Sequence, residues 1–153
     1  MFSPVLSIFN IANKLLFLGA FLLFCFSGYG QVNMSIDDPI SVNEGNSGIT
    51  PLNFTVTLDF ADPLLPVTAT YTITGGNGGT GTVTFPANDA TPQTIIATTN
   101  GDTVLEPNEA ITVTLSAQSP NANLLDAVGE SSFLDDDSAA VTIGNVSVVE
   151  GIG

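Results

Sequence analysis

Histidine and tryptophan are absent from this 153-residue chain, lysine and arginine together number one, and there is a single cysteine. Each absence removes a class of chemistry. Without histidine, and with one thiol, the common acid–base, nucleophilic and zinc constellations cannot be assembled, so no enzyme is expected. Against the one basic residue stand 15 acidic ones, a formal net charge of −14. Such a chain repels phosphate backbones and anionic headgroups, which excludes nucleic acid as a partner and polybasic docking on a membrane. Apolar residues are not scarce. At 44% they are too many for a disordered acidic tail, and a folded unit of about one domain is expected.

The first thirty residues differ from the rest. Lys14, the only basic residue, precedes an apolar run over residues 15–26. That length suits the core of a signal peptide and is too short to span a bilayer. Ser27, Gly28 and Gly30 follow as small residues, which places cleavage before Gln31 and makes 1–30 a signal peptide. An uncleaved membrane anchor is the alternative. A lipoprotein attached through Cys25 is opposed by bulky Leu23, Phe24 and Phe26. The protein is therefore expected to be secreted or held at the cell surface, with no membrane contact once the signal is removed. Cleavage takes away Lys14 and Cys25, leaving all 15 acids, no basic side chain and no disulfide. Any cluster of acids must then be solvated, spread apart, or bound to a cation from outside.

From Gln31 onward the pattern is all-β. Residues 52–59, 67–74 and 111–116 alternate apolar and polar with period two, and 82–85 and 93–98 are shorter versions. Turn-forming segments separate them: Ala61-Asp62-Pro63, Gly75-Gly76-Asn77-Gly78-Gly79, Pro86-Ala87-Asn88-Asp89 and Ser119-Pro120-Asn121. Seven strands are expected, at 33–43 (broken near Pro39), 52–59, 67–74, 80–85, 93–98, 110–117 and 129–134. That count and spacing indicate an immunoglobulin-like β-sandwich without the cysteines and tryptophan of antibody domains. Tyr71 and the phenylalanines at 54, 60, 85 and 133 are expected in its core.

An internal repeat marks the domain boundary. Ile40-Ser41-Val42-Asn43-Glu44-Gly45 recurs as Val146-Ser147-Val148-Val149-Glu150-Gly151, 106 residues later. That offset is one sandwich, so 32–137 is expected to be one domain and 138–153 the start of a second, truncated copy of a longer repetitive protein.

Strand direction assigns the acids to the two ends. If successive strands alternate up and down, the connections after the first, third, fifth and seventh share a pole. On it fall Glu44, the 75–79 loop, Asp102, Glu106, Glu109, Asp135, Asp136 and Asp137. The other pole carries Asp59, Asp62, Asp89 and Asp126 in separate loops. Two carboxylates about 5 Å apart repel by roughly 3 kcal/mol at an effective dielectric near 20. A pole with seven acids and no cation of its own calls for a hard metal ion, and many oxygen ligands on flexible loops favour Ca2+ over Mg2+.

Ser41-Val42-Asn43-Glu44-Gly45, the 54–58 strand, Gly101-Asp102-Thr103-Val104-Leu105-Glu106-Pro107-Asn108-Glu109 and the closing Asp135-Asp136-Asp137 together resemble the Calx-beta domain family. That family includes calcium-binding regulatory modules of sodium–calcium exchangers, an integrin cytoplasmic module and tandem copies in bacterial surface proteins. The resemblance covers about residues 32–137 and implies a seven-stranded sandwich. It also implies calcium ligation by Glu44, Asp102, Glu106, Glu109 and Asp135 to Asp137. One departure stands out: calcium-binding members usually supply an aspartate from the loop after the third strand, where this chain has Asn77 among glycines, so fewer ions or looser binding are expected.

Two function classes remain at this stage. One is a calcium-stiffened module of a secreted or surface repeat protein, for adhesion or spacing. Its partners would be Ca2+, neighbouring repeats and a host or cell-surface ligand. The other is a metal-free spacer extended by its own charge, or an accessory domain of a larger extracellular enzyme.

Overall fold

Strands form where the period-two runs lie, because Val, Ile, Phe and Thr suit a pleated surface with one buried face. The computed structural model describes residues 30–145, 150, 151 and 153, and the chain divides into two compact units, Met1–Gln31 and Val32–Gly153. The signal-peptide segment 1–30, save Gly30, lies outside the described residues, as does most of the repeated segment 146–151.

Nine strands follow in order: β1 (Val32–Ile36), β2 (Val42–Asn43), β3 (Gly48–Leu58), β4 (Val67–Thr74), β5 (Gly79–Phe85), β6 (Gln93–Gly101), β7 (Glu109–Ser116), β8 (Ala122–Asp126) and β9 (Val128–Leu134). They make two sheets, one ordered β6-β3-β1-β8 and the other β2-β9-β7-β4-β5. The described residues contain no helix, and the fold is an all-β sandwich. Between the sheets lie Val32, Met34, Phe54 and Val56 from one side, and Val67, Phe85, Ile111, Val113 and Phe133 from the other. Each such side chain contributes roughly 1.5–3 kcal/mol by leaving water. Phe54, Phe85 and Phe133 are fully buried, and Tyr71 is packed against the core. Phe60 is not in the core: it is 43% exposed in the loop after β3, where the strand has ended and no partner sheet lies above it.

The expected first strand, 33–43, is two strands in different sheets. β1 runs antiparallel to β3, whereas β2 runs parallel to β9 in the opposite sheet. The last run behaves the same way, since β8 pairs parallel with β1 and β9 continues in the other sheet. First and last runs thus travel side by side and both change sheet partway. Asp37 and Asp38 fasten the crossing: Asp37 Oδ1 accepts the Thr55 amide at 2.6 Å and Asp38 Oδ1 the Glu130 amide at 2.7 Å. Gly129 leaves room for it, as a Cβ there would stand 2.6 Å from Asp37 O.

Pole-to-pole passages still number seven, so the alternation of direction survives the extra breaks. The start of β3 faces the end of β6 (Gly48 opposite Gly101), and the start of β7 faces the end of β9 (Glu109 opposite Phe133). One pole therefore gathers residues 44–47, 75–78, 102–108 and 135–137.

Candidate metal centre

Three chain segments bring their carboxylates together at this pole. Glu44 follows β2, Asp102 follows β6 and Asp137 lies three residues beyond β9. One oxygen from each lies within 4.8 Å of the other two. That is the span available to two oxygens across one ion with bonds of about 2.4 Å. Asp102 comes from the end of the four-stranded sheet, and Glu44 and Asp137 from ends of the five-stranded one, so the cluster straddles the gap between the sheets.

Glu44 is the unusual member. It is only 7% exposed, yet its Oε1 has no hydrogen-bond partner. Asp137 Oδ2 is likewise buried and unpartnered, and these two supply two of the three such atoms among the described residues. A buried acceptor left without a donor is costly, and a buried charge more so. Desolvation, and then the charges of Asp102, Asp135, Glu106 and Asp137, push the Glu44 carboxyl above its ordinary value. Desolvation raises Asp137 too, with Asp135, Asp136 and Asp102 adding to it. Since no Lys, Arg or His follows Lys14, the chain offers no internal counter-charge. The donor set is all oxygen, hard and anionic, and it fits a hard divalent cation.

The other expected site residues are placed nearby but are engaged differently. Asp135 Oδ2 accepts the Glu106 amide at 2.8 Å, and its Oδ1 accepts the Asp137 amide at 3.0 Å. Asp136 Oδ1 accepts the Gly45 amide at 3.1 Å. These bonds tie the 102–108 loop, the 44–47 turn and the 135–137 segment to one another. Glu109 Oε2 accepts the Thr99 hydroxyl at 3.2 Å, at the start of β7 and apart from the trio. Asp102 Oδ1 accepts the Val104 amide at 2.7 Å, a local turn that leaves Oδ2 free of any such bond. Asn77 is turned toward β6: its Oδ1 accepts from Asn100 Nδ2 and its own Nδ2 donates to Thr98 Oγ1, both at 3.2 Å. Gly75 and Gly76 hold that loop in left-handed backbone, against Ala110 O and Thr98 O, where no side chain would fit. The sequence pattern missed the residues that shape the pole without carrying charge: Thr50, Thr99, Gly101 and Asn108.

Solved structures share this sandwich. The apo form of the Calx CBD1 domain superposes with a TM-score of 0.55 at 18% identity, over 70% of this chain and 99% of that one. The fold is Calx-beta-like. CBD12 from CALX1.2 gives a TM-score of 0.56 at 19% identity, over 69% of this chain and 46% of its own. The calcium binding domain CBD12 of CALX1.1 gives 0.57 at 19% identity, over 78% of this chain and 54% of its own. This Calx-beta-like chain thus spans about half the length of the two CBD12 chains. No family model matches the sequence. No curated protein matches it either.

Proposed function

We propose that the protein is an exported, noncatalytic calcium-binding module of a secreted or cell-surface repeat protein, serving adhesion or spacing. The observation that carries the calcium reading is the buried, unpartnered Glu44 Oε1 beside Asp102 and Asp137. Those three residues would hold the ion, and Asp135, Asp136 and Glu106 surround them, with Glu109 set apart at the start of β7. A bound cation supplies the positive charge that the chain lacks. Glu44 and Asp137 then exchange an orphaned burial for a ligand bond, and Asp102 links the second sheet to them. The kinship in fold to a calcium binding domain supports the reading. β9 ends at Leu134 on this pole, so with a repeat beginning after Asp137 the site would stiffen the junction between the two.

One observation favours the metal-free spacer instead: Asp135 and Asp136 already accept backbone amides that close the pole. Calorimetric titration of the purified protein with Ca2+, and with Mg2+ as control, separates the two. The proposal expects saturable Ca2+ binding with weaker or no Mg2+ binding. Absence of binding at millimolar Ca2+ leaves the spacer.

A further inference from the structure

The Glu44 carboxylate makes no hydrogen bond through Oε1, so no polar partner aims that oxygen; the backbone beneath and the packing around it must. That backbone is held at both ends by different sheets. The Glu44 amide donates to Leu134 O of β9 at 2.9 Å, in the five-stranded sheet. Its carbonyl accepts the hydroxyl of Thr50, which belongs to β3 in the four-stranded sheet. Gly101, at the end of β6, closes the space from below. A Cβ at that position would stand 2.7 Å from Glu44 O and closer still to Gly45 O. Gly101 has no left-handed backbone among its needs, so room and not conformation requires the glycine.

We infer that Thr50 and Gly101 are positioning residues for the ion: they seat the Glu44 backbone between the sheets and so fix where its carboxylate meets Asp102 and Asp137. Thr50 suits the task because its β-branched side chain is stiff and its hydroxyl direction is set by the strand. In register Thr50 stands opposite Thr99, and Gly48 opposite Gly101, so the hydroxyl that meets Glu44 O lies on the strand pair that ends beside the 44–47 turn. The inference rests on the calcium reading proposed above, but it also predicts a property of the ion-free protein.

The test compares Thr50→Val, Thr50→Ser and Gly101→Ala with Thr70→Val, which loses a hydroxyl bond to the Ser116 carbonyl far from the pole. Two readouts are needed: Ca2+ affinity by calorimetry, and amide hydrogen exchange of Glu44 in chelator. Loss of a residue that orients a ligand weakens metal binding by about 10–100-fold, and Thr50→Val and Gly101→Ala should fall in that range. Thr50→Ser should restore affinity to nearly that of the unaltered protein, and Thr70→Val should leave it unchanged. In chelator the Glu44 amide should exchange roughly tenfold faster in Thr50→Val and not in Thr70→Val. The inference is overturned if Thr50→Val binds Ca2+ as the unaltered protein does, if Thr70→Val is equally impaired, or if serine fails to rescue. If the unaltered protein binds no Ca2+, the calcium reading fails. The exchange measurement then decides the positioning role: acceleration in Thr50→Val and Gly101→Ala upholds it, and unchanged exchange refutes it.

Discussion

Replacing Glu44 by glutamine keeps the shape of a nearly buried side chain and removes its charge. In chelator, the wild-type glutamate sits desolvated among Asp102, Asp135, Glu106 and Asp137, with one oxygen unpartnered. Glu44→Gln relieves that repulsion, so the variant should melt at the same temperature as wild type or higher. Calcium reverses the order. Binding to the folded state alone adds about 2.7 kcal/mol at a free concentration one hundred times the dissociation constant. For a sandwich of this size each kcal/mol moves the melting temperature by about 4–8 °C, a wild-type shift of roughly 10–20 °C. Glu44→Gln should lose most of it, so the two proteins exchange rank between chelator and millimolar Ca2+. Thermal melts by circular dichroism in both conditions, with Mg2+ alongside, read this directly. A glutamate with a purely structural part would lose stability equally in both conditions. That result, or wild-type melts that coincide with and without Ca2+, would refute the reasoning. Single substitution is cleaner than replacing Asp135, Asp136 and Asp137 together, because Asp135 and Asp136 also anchor backbone amides.

In chelator, stability should rise as pH falls from neutrality toward the ordinary values of 4.5 for Glu44 and 3.8 for Asp137, since the folded chain takes up protons before the unfolded one. Further acidification should reverse the trend, because Asp62 and Asp89, held below 3.8 by hydrogen bonds from Asn121 and Thr91, lose their contribution on protonation; melts across a pH series show the maximum. Asp62→Ala frees the Leu64 and Leu65 amides at the opposite pole and should lower the melting temperature while leaving the Ca2+ shift intact. Phe54→Ala should cost about 3–5 kcal/mol in chemical denaturation, as expected for a fully buried phenylalanine. Mass spectrometry of the exported protein should find its N-terminus at Gln31, and recovery of Met1 or Lys14 would exclude cleavage there.

The strands from Leu52 to Ser116 were legible because each buries one face: Leu52, Phe54 and Val56 alternate with Asn53, Thr55 and Thr57 as a half-buried strand requires. The change of sheet was not, since period two reports which face is buried and not which sheet the strand joins. β8 was invisible for a different reason. Ala122-Asn123-Leu124-Leu125-Asp126 does not alternate, because it is an edge strand with Leu125 left 72% exposed. At the pole, counting strand directions sufficed to gather Glu44, Asp102 and Asp137. Their separation into buried, unpartnered oxygens and amide-bound ones depended on loop geometry. Asp135, Asp136 and Asp137 are identical letters in a row, and only the fold distinguishes two clasps from a cluster member. The contribution of Gly101 was hidden as well, because a glycine needed for room looks in sequence like a glycine needed for a turn.

The side-by-side course of the first and last runs has a mechanical meaning. The chain enters the sandwich at Val32 near one pole and leaves past Leu134 at the other, along strands that are parallel neighbours in both sheets. Tension between the ends therefore acts along these strands and loads the β1–β8 and β2–β9 ladders in shear. The β1–β8 pairing, interrupted by one register shift between Met34 and Ser35, and the two-residue β2–β9 pairing are loaded along their length, whereas a hairpin pulled from its open end opens one rung at a time. The Asn33 amide and side chain, both bound to Asp59 at 2.9 and 2.8 Å, pin the first run close to the point where the pull arrives. Extraction of the first run also requires breaking the bonds that Asp37 and Asp38 make to the Thr55 and Glu130 amides where it changes sheet. With a single cysteine the chain can close no internal disulfide, so resistance to tension between its ends rests on the parallel pairings of its terminal runs.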